Sequence, residues 1–239
     1  QVLEAPLQNV SSCLDLFGAK PCLMISRLSL RLPRYAASQL ARRNCYVRRC
    51  YCGSLEGDLK RLLLVWHSRT GLARQMADAL ELGANSTARE LGATQDCFTV
   101  VRRRASEASV EDLLGADGYL FCAPENLASV SGEMKEFFDR NYYGCFQASE
   151  DAGKYTETSL LLGRPYGLAI AAGSDGSGAA RQVERICRGW RLKPVAQTII
   201  YQNGLPQTAA AIAQAKSCPP EAQESCAELG GLLAATLLL

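Results

Sequence analysis

Short runs of apolar residues alternate along the chain with longer segments in which apolar residues recur at helical spacing. The apolar runs predict five strands, at residues 62–67, 96–103, 118–125, 165–173 and 193–202. The helical spacing predicts helices at residues 72–91, 109–114, 131–144 and 176–191, and two Ala-rich helical stretches end the chain. The polar segment 147–164 is predicted as a loop with at most a short strand-like portion, and as a candidate lid. The first run, LLLVWH, lacks polar alternation, which is typical of a central parallel strand buried on both faces.

The alternation of strands and helices predicts the fold class. Such a chain forms a parallel sheet with helices on both faces, and right-handed crossovers make it a doubly wound α/β fold. Ligands of these folds bind at the carboxyl ends of the strands, where the winding reverses. The candidate site therefore lies in the segments after strands one, three and four, at residues 68–71, 123–132 and 172–180.

Charge divides the chain into two parts. Eight basic residues and no acidic residue lie between residues 16 and 55, whereas the whole chain has a net charge of only +2. We therefore predict a basic, Cys-containing N-terminal extension at residues 1–59, disordered or irregular, and a folded domain at residues 60–239. The extension is rich in Ser and Arg, so an organelle transit peptide is the less favoured alternative. Its role and its true start are left open.

Composition narrows the classes of function. The near-balanced charge gives no support for nucleic-acid binding, and no run reaches the roughly 18 apolar residues of a membrane span. The eleven cysteines show no paired spacing and His67 is the only histidine, so we predict neither a disulfide framework nor a metal site. Cys97, Cys122 and Cys187 fall in apolar patterns and are predicted to be buried thiols. A reducing compartment, the cytoplasm, fits these cysteines best.

The loop after the first strand, Ser68-Arg69-Thr70-Gly71, can bind an anion. The hydroxyls of Ser68 and Thr70, and N–H groups from Arg69 to Ala73, lie where a helix begins and its dipole favours negative charge. Gly71 permits a tight turn and close approach of the backbone. An ordinary strand-to-helix turn is the alternative interpretation. The loop is neither a Walker loop nor a G-x-G-x-x-G dinucleotide fingerprint.

Three segments carry a resemblance to a known family. LLVWHSRTGLARQMADAL resembles the phosphate-binding loop of the flavodoxin-like flavoproteins, whose pattern is roughly [ST]-x-T-G-x-[TS]. GADGYLFCAPENLASVSGEMKEFFDR resembles the third-strand loop and helix of that family's NAD(P)H-dependent oxidoreductases, which include quinone reductases. GRPYGLAIAAGSDGSG is similar to their fourth-strand loop. The resemblance covers about residues 61–202, with one departure: Ala73 stands where the pattern has Thr or Ser.

The resemblance implies a flavodoxin-like five-stranded sheet of order 2-1-3-4-5 that binds FMN. The FMN phosphate is expected on the first loop, at Ser68, Arg69, Thr70, Gly71, Leu72 and Ala73. The isoalloxazine ring is expected between the other two loops, at Pro124, Glu125, Asn126, Leu127 and Ala128 and at Gly173, Ser174, Asp175 and Gly176.

The implied activity is electron transfer from NAD(P)H as co-substrate, through FMN, to a quinone or similar small acceptor. The flavin carries this chemistry, so no catalytic side chain is required, and Trp66, His67 and Trp190 are expected to be packing residues. Proton delivery is the less favoured role for His67. One alternative is a flavodoxin-type electron carrier that does not itself oxidise a nicotinamide, and another is a cofactor-free scaffold, to which Ala73 points. The electron acceptor, the choice of NADH or NADPH, the FMN affinity and the oligomeric state, a homo-oligomer included, are left open.

Overall fold

The computed structural model describes residues 59–151 and 154–239, and residues 1–58, most of the predicted extension, lie outside them. The strands are β1 (Lys60–Trp66), β2 (Phe98–Arg104), β3 (Gly118–Asn126), β4 (Ser129–Val130), β5 (Phe146–Asp151), β6 (Lys154–Ser159), β7 (Pro165–Ala172), β8 (Lys193–Pro194) and β9 (Ile199–Gln202). The α-helices are α1 (Leu72–Glu90), α2 (Val110–Leu114), α3 (Gly132–Asn141), α4 (Ser177–Gly189), α5 (Ala209–Ala213) and α6 (Pro220–Leu238). None of the helices in these described ranges has both the length and the apolar character needed to cross a membrane.

The main sheet has the predicted strand order. It runs β2-β1-β3-β7, with β8 and β9 both paired to the outer edge of β7, and all of these pairs are parallel. Both faces of the central strand β1 are buried: Leu62 and Leu64 pack towards α1 and α6, while Leu63 and Val65 pack towards α3 and α4. The doubly wound fold and the order 2-1-3-4-5 are therefore confirmed.

The fifth predicted strand is broken in the structure. Residues 165–166 of β7 pair with β8, and residues 169–172 pair with β9. The four residues 195–198 thus lie opposite only two residues of β7, so the edge strand bulges away from the sheet. Pro194 cannot donate a backbone hydrogen bond, which favours a break at this point on an edge.

The polar segment predicted as a loop forms an antiparallel hairpin instead. β5 pairs with β6 from Phe146 opposite Ser159 outward, as a separate two-stranded sheet. Residues 156–158 of β6 are exposed and polar, so the strand carries no apolar alternation. Periodicity detects a strand only where one face is buried, which explains why the segment read as a loop.

Helices α1 and α6 pack unusually close together through glycines. A Cβ atom on Gly83 of α1 would lie 1.9 Å from the carbonyl oxygen of Ala227, and one on Gly230 of α6 would lie 2.0 Å from that of Leu80. Real Cβ atoms do not approach backbone atoms this closely, so only glycine fits at either position. Gly83, which by propensity weakens α1, is therefore required for tertiary packing.

Candidate functional site

The first loop presents backbone amides and hydroxyls at the start of α1. Gly71 is the N-cap residue of α1 and has a φ of 96°, which is unfavourable for residues other than glycine. Its N–H donates to Ser68 Oγ at 3.1 Å. The first bond inside the helix runs from Gln75 N to the Gly71 carbonyl oxygen, at 3.1 Å. The amides that precede Gln75 in the first turn are therefore left to bind an anion.

A distant part of the chain fixes the position of this loop. The Lys216 N–H donates to the Thr70 carbonyl oxygen at 2.8 Å. The Gln75 side chain completes the connection, because its Nε2 donates to the Lys216 carbonyl oxygen at 2.9 Å and its Oε1 accepts from Cys218 N at 3.0 Å. Sequence reasoning missed this connection, since no local pattern links residues that are 141 positions apart.

Positive charge surrounds the loop. Arg69 is exposed within it. The guanidinium groups of Arg102 and Arg104, on the neighbouring strand β2, lie 4.7 and 5.2 Å from the centre of the Trp66 ring. Arg102 is also paired with acidic residues of α1, whereas Arg69 and Arg104 form no ion pair within the described residues. Trp66 is buried, as is Trp190, which agrees with the packing role predicted for both.

The loop after β3 is a tight and strained hairpin turn. Glu125 pairs with Val130, so Leu127 and Ala128 form a two-residue turn, with φ values of 53° and 60°. Two-residue turns of this kind normally contain Asn or Gly, because left-handed backbone is costly for other residues. The side chain of Leu127 is nonetheless fully exposed. A strained apolar turn at the carboxyl edge of a parallel sheet is a feature found at ligand sites.

The loops after β3 and β7 contact each other directly. The Gly176 N–H donates to Glu125 Oε2 at 3.0 Å. A Cβ atom on Gly178 would lie 2.2 Å from the Ala128 carbonyl oxygen, so the hairpin turn rests on the start of α4. The structure thus brings the predicted second and third loops together at the carboxyl edge of the sheet, the edge at which the first loop also lies.

We expect relief of the strain in this turn to stabilise the protein. The double variant Leu127→Asn/Ala128→Gly should raise the free energy of unfolding by about 1–2 kcal/mol, because both new residues tolerate positive φ. Urea unfolding of the FMN-free protein measures this change. Gly92→Ala makes the opposite change, from glycine to a residue that disfavours positive φ. Gly92 has a φ of 80° and open space around it, so this variant should lose stability through backbone strain and not through a clash. An unchanged midpoint for the double variant would show that the turn is not strained.

A polar cluster links the first loop to the start of α3. His67 Nδ1 lies 2.8 Å from Ser131 Oγ, and His67 Nε2 lies 3.4 Å from Glu133 Oε2. Ser131 is the N-cap residue of α3, but its hydroxyl bonds to His67 and not to its own helix. Ser131 is fully buried, so it cannot attack a substrate despite its His neighbour. Sequence reasoning favours a packing role for His67 over a role in proton delivery and does not find its partner, because no spacing rule joins residues 67 and 131.

Cysteine burial corrects one prediction. Cys122 and Cys187 are buried as expected, and burial raises the pKa of both thiols well above the ordinary value. Cys97 is exposed, contrary to prediction. It lies just before the edge strand β2, in a turn where its N–H donates to the Thr94 carbonyl oxygen. The apolar residues that follow it continue the strand, but the turn places Cys97 itself in solvent.

Comparison with known proteins decides the family. A family model described as the flavodoxin-like fold matches residues 60–218, about two thirds of the chain. The chain belongs to the flavodoxin-like family. This membership confirms the resemblance found in the sequence.

The relatives of this flavodoxin-like chain are distant. It is 37% identical over 79 residues, 33% of the chain, to a flavodoxin of Aquifex aeolicus. It is 31% identical over 94 residues, 34% of the chain, to an NAD(P)H dehydrogenase (quinone) of Acidithiobacillus ferrooxidans. These matches span only 38% and 47% of the two relatives' own lengths. A flavodoxin structure from the domain Archaea shares the fold, with a TM-score of 0.54 and 13% identity over 75% of this chain and 99% of that one.

Proposed function

We propose that this protein is an FMN-dependent oxidoreductase that passes electrons from NAD(P)H to a quinone or a similar small acceptor. The observation that carries the proposal is the set of donors at the start of α1. It combines free first-turn amides, two hydroxyls and a glycine with left-handed backbone, which suits a phosphate monoester. The similarity to an NAD(P)H dehydrogenase (quinone) supports NAD(P)H as the electron donor and a quinone as the acceptor.

The first loop can hold the FMN phosphate mainly through neutral donors. Ser68 Oγ accepts from the Gly71 N–H, so its own hydroxyl proton is available to donate to a phosphate oxygen. The Thr70 backbone is fixed by Lys216, while its hydroxyl makes no hydrogen bond within the described residues. Ala73 offers no hydroxyl, and a missing bond of this kind costs about 1 kcal/mol or somewhat more. We therefore propose FMN binding that is weakened several-fold and not abolished.

The second and third loops suit the isoalloxazine ring. Because they touch at Glu125 and Gly176, we propose that the ring lies against their exposed faces beside that contact. Leu127 provides apolar surface for the ring, and backbone groups from Glu125 to Ala128 provide polar contacts for its edge. FMN held by these loops would supply the chemistry of hydride transfer from NAD(P)H and electron transfer to the acceptor. The protein's residues bind and orient the reactants, and none needs to act as an acid or base.

A flavodoxin-type electron carrier is the second candidate, favoured by the Aquifex aeolicus match. The eighteen basic and twenty acidic residues from Lys60 onward give little net charge for steering a redox partner, which supports the enzyme. Free thiols at all six described cysteines support a reducing compartment, and we propose the cytoplasm.

Two measurements on the purified full chain test the proposal in order. Titration with FMN should quench flavin fluorescence with a saturable isotherm. Anaerobic mixing of the FMN complex with NADPH, and separately with NADH, should then bleach the oxidised flavin at catalytic rates, and a quinone should restore its colour. Binding without bleaching by either nucleotide identifies an electron carrier. No binding of FMN identifies the cofactor-free scaffold and overturns the proposal.

A further inference from the structure

His67 occupies a position between two parts of the proposed FMN site. It immediately precedes the phosphate loop, and its backbone N–H donates to the Cys122 carbonyl oxygen of β3 at 3.0 Å. Its ring reaches Ser131, whose own N–H donates to the Pro124 carbonyl oxygen at 3.0 Å. One imidazole therefore connects the loop proposed for the phosphate with the segment proposed for the ring.

Three charged groups from different elements act on this ring. Glu133 approaches from α3, Arg69 from the phosphate loop and Arg104 from the end of β2. Burial lowers the pKa of His67; the carboxylate of Glu133 opposes this effect, and the two arginines reinforce it. The imidazole is therefore neutral in the FMN-free protein near pH 7. In that state, a Ser131 hydroxyl donating to Nδ1 and an Nε2–H directed at Glu133 satisfy both ring nitrogens.

We propose that His67 is a proton-linked positioning residue, which takes up a proton when a phosphate dianion enters the adjacent loop. The inference rests on the proposed FMN binding. A dianion beside Ser68 adds negative charge next to the imidazole and offsets the positive charge of Arg69, the residue that helps keep the imidazole neutral. Both changes favour the imidazolium form.

Protonation of His67 changes the hydrogen bonds at the start of α3. Nδ1 becomes a donor to Ser131 Oγ, so the Ser131 hydroxyl must turn towards another acceptor. The contact with Glu133 becomes an ion pair. Occupation of the phosphate loop is thereby transmitted to the segment that follows the proposed ring loop.

The sign of the pH dependence follows from linkage. The complex binds a proton at His67 more tightly than the free protein does, so lowering the pH from the bound-state pKa towards the free-state pKa strengthens FMN binding. Below the free-state pKa, His67 is protonated in both the free protein and the complex, so the gain in FMN affinity no longer changes with pH. The second ionisation of the FMN phosphate, near pH 6, affects FMN binding to the wild type and to a variant equally. It therefore cancels when the two affinities are compared at the same pH.

The single histidine makes a direct test by NMR. In tag-free protein labelled at histidine, the midpoint of the His67 ring signals is measured in the free protein, with FMN and with riboflavin. FMN should move the midpoint up by at least about one pH unit, whereas riboflavin, which lacks the phosphate, should leave it unchanged. FMN that binds without moving the midpoint, or riboflavin that moves it equally, overturns the inference and leaves the proposed cofactor intact. Failure of FMN to bind overturns both.

Calorimetry on a matched variant gives an independent measurement. His67→Asn keeps an acceptor for Ser131 but cannot take up a proton. Near pH 6.5, the ordinary pKa of histidine, FMN binding to the wild type should take up protons, revealed by heats that vary with the buffer's ionisation enthalpy. The variant should lack this uptake, and its FMN affinity should fall up to about tenfold relative to wild type as the pH is lowered. Equal proton uptake by both proteins contradicts the role of His67.

Discussion

Gly230→Val should lower the free energy of unfolding by about 3 kcal/mol or more, the largest loss expected from any single substitution considered. A Cβ atom at this position would lie 2.0 Å from the Leu80 carbonyl oxygen and 3.1 Å from the Ala84 nitrogen. Both atoms belong to the backbone of α1, so no side chain can rotate away to make room. The two helices must separate, which exposes the apolar surface between them. Urea unfolding followed by circular dichroism measures the loss.

Gly132→Val is the matched control for this effect. Gly132 also lies in a helix, but a Cβ atom there has no neighbour within 4 Å. Its substitution reports the propensity of valine for a helix, a few tenths of a kcal/mol, without any clash. If the two variants unfold at the same urea concentration, α1 and α6 do not pack as closely as the structure shows.

The double variant Ser68→Ala/Thr70→Ala should weaken FMN binding about thirtyfold or more. Each hydroxyl is proposed to donate to a phosphate oxygen, and each lost bond costs about 1 kcal/mol or somewhat more. Since about 1.4 kcal/mol corresponds to a factor of ten in affinity, two lost bonds reach this magnitude. Fluorescence quenching of FMN at constant ionic strength measures the dissociation constant.

Three comparisons separate loss of the phosphate contact from general damage. Riboflavin affinity should be equal in the double variant and the wild type, because only the phosphate is affected. Thr236→Ala removes an exposed hydroxyl near the end of α6, next to Leu237, which lies against Gly118 at the start of β3 and so at the opposite edge of the sheet; this variant should bind FMN normally. Ala73→Ser restores the hydroxyl that the family pattern carries and should tighten binding several-fold. Equal losses of FMN and riboflavin affinity in the double variant would show that the phosphate lies elsewhere.

The sequence predicts those parts of the fold that have a buried face with a regular period. The run at β1 and the helical spacing of α1 are both set by burial against neighbouring layers, and the structure confirms them. The break between β8 and β9 depends on how many residues lie opposite β7, which is a property of pairing and not of local pattern. The β5–β6 hairpin is missed for a different reason: it lacks apolar alternation, so periodicity does not reveal it.

The candidate site divides in a similar way. Gly71 and the hydroxyls beside it can be recognised because a strand-to-helix turn has a local signature. The contacts that shape the site join residues far apart in sequence: His67 with Ser131, and Thr70 with Lys216. Such pairs follow from the tertiary fold alone. The strain at Leu127 and Ala128 is equally hidden, because neither residue type signals positive φ.

The hydrogen bonds from Lys216 and Cys218 to the first loop have a consequence for biosynthesis. Residues 68–75 leave the ribosome long before residues 216–218, which complete their surroundings, and before α6, which covers α1. A nascent chain therefore carries the hydrogen-bond donors of the first loop without the contacts that hold them in place. We therefore expect the first loop to bind FMN only once residues 216–218 and α6 have been synthesised and have packed against it.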